Sequence, residues 1–237
     1  MQIVDRIKYS LFILLILSNP LSAEQRLVLG AKWLGAGWQG SNASGSQFNS
    51  DKGSQFGLNM AWQNGGFYTG LNLQSGNYNF TDTAPDQFRR AGSLPVGTDQ
   101  IKQSEMDLLL GYYVWPRISV FVDIKSVTNQ WQLNDYNQNF AGLGLGISGF
   151  NPVNKNWTLF GSLGFVSGEI KDDSNYKVGD GISSALEMGL VYTLSKDNYL
   201  SFGLKFRNYD LQSNRGDAQN YDINALFIAY SHAIHLD

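Results

Sequence analysis

Residues 141 to 150 read AGLGLGISGF, which sets Gly142, Gly144 and Gly146 alternately with Leu143, Leu145 and Ile147. A period of two is that of a β-strand, whose successive side chains leave on opposite faces. Glycine weakens a strand, because it gives up the most backbone freedom and offers nothing to pack. A strand position facing water gains nothing from losing its side chain; one facing the inside of a narrow closed barrel gains room. A barrel of eight to ten strands is just wide enough to be filled by side chains, so bulky inward residues need tiny neighbours. The stretch therefore favours a closed barrel with its aliphatic face turned to lipid over a two-layer sandwich.

The same theme recurs along the chain. SQFGLNMAWQ presents Phe56, Leu58, Met60 and Trp62 on one face, and FYTGLNLQ follows it across Asn64-Gly65-Gly66, a tight-turn signal because these residues tolerate positive φ. SEMDLLLGYYVW, ISVFVDIK, WTLFGSLGFV, SALEMGLVYTL and YLSFGLKFRNY alternate likewise, and RLVLGAKWLGAGW and YDINALFIAYSHAI at the two ends complete ten strands, with eight the alternative should the end segments be irregular. Short connections fall around 64–66, 115–117, 151–156 and 195–198; long or polar ones fall at about 39–53, 75–101, 127–138, 171–181 and 212–220. This alternation puts all short turns at one end of the sheet, the layout of an up-and-down antiparallel transmembrane barrel with tight periplasmic turns and extended outer loops. Trp62, Tyr112, Trp157, Tyr192 and Tyr199 lie beside turns, where an interfacial aromatic girdle is expected.

Charge placement points the same way. Within these strands Lys32, Glu105, Asp107, Asp123, Lys125, Glu187, Lys205 and Arg207 all take the parity opposite to the large aliphatics. On the lipid face at mid-bilayer a charge costs roughly 2 to 4 kcal/mol. Four positive and four negative inward residues predict mutual pairing in a narrow, largely occluded lumen, since a buried unpaired charge is very costly. A selective pore would more naturally carry an excess of one sign.

Residues 1–23 have the form of a secretory signal peptide: Arg6 and Lys8, the apolar run Leu11 to Leu17, and Ala23 before the expected cut, leaving 24–237 as one barrel domain. After it no apolar run reaches the ~18 residues of a transmembrane helix. The chain has no cysteine, so no disulfides support it, and a formal net charge of −3 offers no basic surface for nucleic acid.

Motifs for chemistry are sparse. Residues 144–149, Gly-Leu-Gly-Ile-Ser-Gly, match the dinucleotide fingerprint literally, but that motif must open a helix, and Phe150-Asn151-Pro152 follows instead. Arg215-Gly216-Asp217 in an outer loop has the form of an adhesion tripeptide, of a kind that arises by chance in polar loops. The two histidines, His232 and His235, sit at the periplasmic end, far from the outer leaflet where a general base for lipid or peptide hydrolysis would work. No catalytic residues, metal ligands or cofactor are expected; an acid pair such as Glu105 and Asp107 is more simply explained by ion pairing in the lumen.

On its leader, its Gly/aliphatic strands and its short/long connection rhythm, the chain resembles the small outer-membrane β-barrel proteins of Gram-negative bacteria. The resemblance implies contact with outer-membrane lipid and lipopolysaccharide, and insertion by the barrel assembly machinery. It departs at its end: SHAIHLD stands where such proteins usually finish on an aromatic residue, and Tyr230 is the last one here. The expected function is structural or adhesin-like surface interaction through the outer loops, 75–101 above all, with an unknown extracellular ligand. The alternatives are a small porin-like channel for ions or small solutes and, less favoured, a barrel-embedded hydrolase.

Overall fold

The computed structural model describes residues 25–236; the signal-peptide expectation for 1–23 lies outside them. Thirteen strands follow one another: β1 (Gln25–Ser41), β2 (Gln47–Asn49), β3 (Lys52–Asn64), β4 (Phe67–Phe80), β5 (Ala84–Arg89), β6 (Gly92–Val96), β7 (Asp99–Trp115), β8 (Ile118–Trp131), β9 (Tyr136–Pro152), β10 (Trp157–Lys171), β11 (Lys177–Ser195), β12 (Asn198–Ser213) and β13 (Ala218–Leu236). Ten of them, all but β2, β5 and β6, form an antiparallel barrel in chain order. It is closed by β13 against β1 in a continuous register from Gln25 opposite Leu236 to Ser41 opposite Asn220. Ten strands, not eight, is the outcome, and both terminal segments are regular. The Asn64-Gly65-Gly66 signal becomes a two-residue hairpin loop with Gly65 at φ 57°.

Sequence 127–138, 171–181 and 212–220 are not long loops. The strands run on through them, leaving only 132–135, 172–176 and 214–217 as turns. The barrel strands are 13 to 19 residues long, against the roughly 9 to 11 that cross a bilayer. The excess lies on the long-connection side, and the side-chain pattern inverts there. Outward along β8 come Ile118, Val120, Val122 and Ile124, then Ser126, Thr128 and Gln130; inward come Ser119, Phe121, Asp123 and Lys125, then Val127, Asn129 and Trp131. β12 repeats this, with Leu200, Phe202, Leu204 and Phe206 outward before Asn208, Asp210 and Gln212, and Lys205 and Arg207 inward before Tyr209 and Leu211. The barrel thus has a lower tier with an apolar belt outside and an upper tier with a polar exterior and an apolar core, as in a water-soluble barrel.

Aromatic pairs mark the short-turn edge of the belt: Phe67 with Tyr112 at 4.6 Å between ring centroids, and Trp157 with Tyr192 at 4.8 Å. Trp62 joins them on the outer face. Tyr199 does not; it has the inward parity of β12 and donates its hydroxyl to the Lys196 carbonyl at 3.0 Å.

In AGLGLGISGF, Leu143 and Leu145 are 65% and 68% exposed on the outer face, and Gly142, Gly144 and Gly146 face inward. The curved wall brings neighbouring backbone against them. A Cβ on Gly144 would lie 2.2 Å from the Phe165 carbonyl oxygen and 2.6 Å from a Val166 methyl. On Gly161, by contrast, a Cβ meets nothing nearer than 3.8 Å. Gly144→Ala is therefore expected to cost about 1 to 3 kcal/mol through overpacking, and Gly161→Ala to be neutral or stabilising. Urea unfolding followed by the loss of the fast-migrating folded band on unheated SDS gels measures both; equal midpoints would contradict the steric account.

Candidate functional site

The interior of the lower tier is filled by the charges that the strand parity singled out. Glu105, 3% exposed, is the hub. Its Oε1 accepts from Lys125 Nζ at 2.8 Å and Lys205 Nζ at 3.3 Å, and its Oε2 pairs with Arg207. Lys125 also pairs with Asp107. Asp123, one residue-pair along the same face of β8, is buried beside Lys125 with no ion pair of its own and one oxygen unpartnered. Lys32 and Glu187 stand apart as a separate pair at 2.7 Å, lower in the barrel and less buried. All eight residues point into the lumen; seven of them pair with an opposite charge, as such low-dielectric surroundings favour, and among the described residues Asp123 alone of the eight does not.

An amide shell that charge counting misses completes the layer. Arg207 Nη2 donates to Gln55 Oε1 at 3.0 Å, Gln55 to Gln103 at 3.1 Å, Gln103 to Asn129 at 3.0 Å, and Lys205 to Gln74 at 3.3 Å. Their signal in the sequence is parity: each lies on the inward face of its strand, Gln103 two residues from Glu105 and Asn129 four from Lys125.

Above this layer the barrel is plugged by its own chain. Of 75–101, residues 75–80 and 99–101 belong to β4 and β7, and the middle forms the β5–β6 hairpin, which turns inward instead of reaching out. Ala84 to Phe88 are all buried in the upper core, among Trp131, Tyr136, Phe140 and Tyr221. Inserted backbone needs partners, and the wall supplies them. Gln219 Oε1 accepts from the Asp86 amide at 2.7 Å, Gln138 Oε1 from the Phe88 amide at 2.9 Å, Trp131 Nε1 donates to the Pro85 carbonyl at 3.1 Å, and the Tyr136 hydroxyl donates to that of Phe88. The expectation that this loop faces outward as a recognition arm is corrected: its apolar Ala84, Phe88 and Val96 pack into the apolar cluster that fills the upper barrel.

Arg215-Gly216-Asp217 belongs to the same clamp. Asp217 accepts from the Ser93 amide at 2.8 Å and from Ser213 Oγ at 3.1 Å, and Arg215 Nε reaches the Arg90 carbonyl at 3.5 Å. Gly144 to Gly149 lie inside β9, with no helix to receive a phosphate. His235 pairs with Asp197 at 3.0 Å and His232 with Asn198 at 3.0 Å, both at the short-turn rim.

Glu105→Gln leaves Lys125, Lys205 and Arg207 short of counter-charge and should cost about 3 to 5 kcal/mol, whereas Glu187→Gln, at a partly exposed pair, should cost clearly less; urea midpoints in lipid vesicles rank them. The hairpin has its own pH dependence. Burial pushes the Asp86 carboxyl above the ordinary carboxylate range, against hydrogen bonds from the Ala43 amide and the Asn42 side chain. The docked hairpin holds a proton that the undocked one releases, so docking is strongest below the ordinary carboxylate pKa and weakens as pH rises through the raised one. Hydrogen-exchange protection factors of the Asp86 and Phe88 amides are expected to fall as pH rises above the ordinary carboxylate range, and Asp86→Asn to abolish that fall.

No protein-family model matches the chain, and no curated protein does. Solved structures match its shape. The outer membrane protease OmpT from Escherichia coli superposes with a TM-score of 0.52 at 10% identity, over 92% of this chain and 99% of that one. The β domain of the Bordetella autotransporter BrkA gives 0.45 at 13% identity, over 90% and 100%, and the translocator domain of NalP from Neisseria meningitidis 0.44 at 10%, over 97% and 95%. The closed ten-strand sheet, the apolar belt and the OmpT likeness together make this chain a β-barrel with the fold of the Gram-negative outer-membrane proteins.

Proposed function

We propose that the protein sits in the outer membrane as a plugged barrel, and acts as a structural or surface-interaction protein through its outer rim, neither an open pore nor an enzyme. The observation that carries this reading is the stacking of two seals in one lumen: Ala84–Phe88 wedged into the upper core, and below it the charge layer around Glu105 with its amide shell. A conducting path needs continuous water and a net preference for one sign of charge; this interior supports neither. Outer-membrane lipid and lipopolysaccharide are the partners that fit the belt and its upper edge, and the barrel assembly machinery is the partner for insertion. The outer rim offers Leu133, Leu94 and Tyr176, exposed at 76%, 43% and 50%, as contact points for an extracellular partner. The clamped hairpin makes that rim a firm platform. Both histidines lie at the opposite end, which speaks against a hydrolase built on them.

Planar-bilayer recording of the purified, refolded chain tests the proposal. No steady unitary current is expected; reproducible single-channel steps would replace this reading with that of a small-solute channel.

A further inference from the structure

The lower end of the barrel is not sealed. Between the short turns 65–66, 116–117, 153–156 and 196–197 lies a chamber of about 480 Å³, lined among others by Arg26, Gln63, Tyr113, Phe150, Phe160 and Tyr199. Its size falls within the range of small-molecule sites. The Lys32–Glu187 pair stands beyond its wall residue Phe160, with Lys32 4.2 Å above the Phe227 ring and the Phe227 and Phe160 ring centroids 6.4 Å apart.

Two features of the walls point to a ligand. The first is Arg26. Lys32, Lys125, Lys205 and Arg207 each lie within ion-pair distance of a carboxylate. Arg26, inward on β1, has only a neutral partner, Gln63 Oε1 at 3.1 Å, and no carboxylate among the described residues pairs with it. A guanidinium presents five donors in a planar fork, so most of Arg26 remains to be used. The second is Phe150, which faces into the barrel yet is 37% exposed, its ring touched edge-on by Tyr113 at 6.3 Å. An apolar surface open to the chamber beside a cation without a carboxylate partner among the described residues is an amphipathic arrangement. The turns add to the field: among their described residues Arg117, Lys155 and Lys196 are cationic, and Asp197 lies 3.0 Å from His235.

We propose that this chamber is a binding site, entered from the short-turn side, for a small amphipathic anion: a single carboxylate held by Arg26, with an apolar body lying against Phe150, Phe160 and Tyr113. Because the charge layer closes the barrel above it, the site is a blind pocket that holds its ligand and does not pass it on.

Isothermal titration of the refolded full chain in detergent with 1-naphthoate, set against protein-free micelles and against the neutral 1-naphthalenemethanol, tests this. Saturable one-site binding of the carboxylate is expected, with the alcohol at least about tenfold weaker, the size of one charge-assisted contact. Arg26→Gln should bring the carboxylate down to the level of the alcohol, Arg26→Lys should recover part of the difference, and Phe150→Leu should weaken both ligands alike. The fast-migrating band on unheated gels confirms that each variant is folded. Heats indistinguishable from empty micelles, or a naphthoate affinity unaltered in Arg26→Gln, would overturn the proposal.

Discussion

A sheet that crosses hydrocarbon has no water to satisfy the polar groups of a free edge, so it must close on itself. Here that requirement is met by the pairing of the first and last barrel strands, in which all seventeen residues of β1 find a partner on β13. Much else follows from closure at ten strands. The wall is strongly curved, which brings the backbone of β10 against the inner face of β9 and leaves room only for the hydrogens of Gly142, Gly144 and Gly146. The space inside is too small for a wide channel and too large to be left empty, so the chain has to fill it with its own side chains.

How it fills that space changes with the medium outside. Beside the lipid belt the inner residues are ions and amides, and their low-dielectric surroundings make charge balance obligatory: Glu105 reaches three cations, and Lys125 reaches Asp107 as well. Above the belt, where Ser126, Asn208 and Asp210 meet water, the inner face carries Trp131, Tyr209 and Leu211. That tier is an ordinary apolar core that happens to lack one wall, and the β5–β6 hairpin supplies it. The plug and the ion layer are therefore not two unrelated obstructions. Each is the filling its level of the barrel requires.

Closure also explains where space is left. Toward the short turns the inward side chains leave a chamber of about 480 Å³ with Arg26 and Phe150 on its walls. A ring of side chains can be completed only where strands extend beyond it on both sides. At the short-turn end there is no second tier to do so.

The amino-acid order alone determined the barrel, its orientation of faces and its eight inward charges, because lipid on one side of a strand imposes a period of two that no soluble neighbour would reproduce with glycine. It also marked the two-residue hairpin at Gly65, since positive φ is a local property. Three things escaped it. The upward extensions of the strands read as polar loops, because their apolar residues had moved to the inner face. Tyr199 read as a girdle residue, although one step of parity turns it inward. The loop between β4 and β7 read as an outward arm. Which cation meets which carboxylate, and that Ala84 to Phe88 turn into the mouth, depend on contacts between residues as far apart as Glu105 and Arg207 or Asp86 and Gln219. Such contacts exist only once ten strands have closed, because closure alone brings distant inward faces within reach of one another.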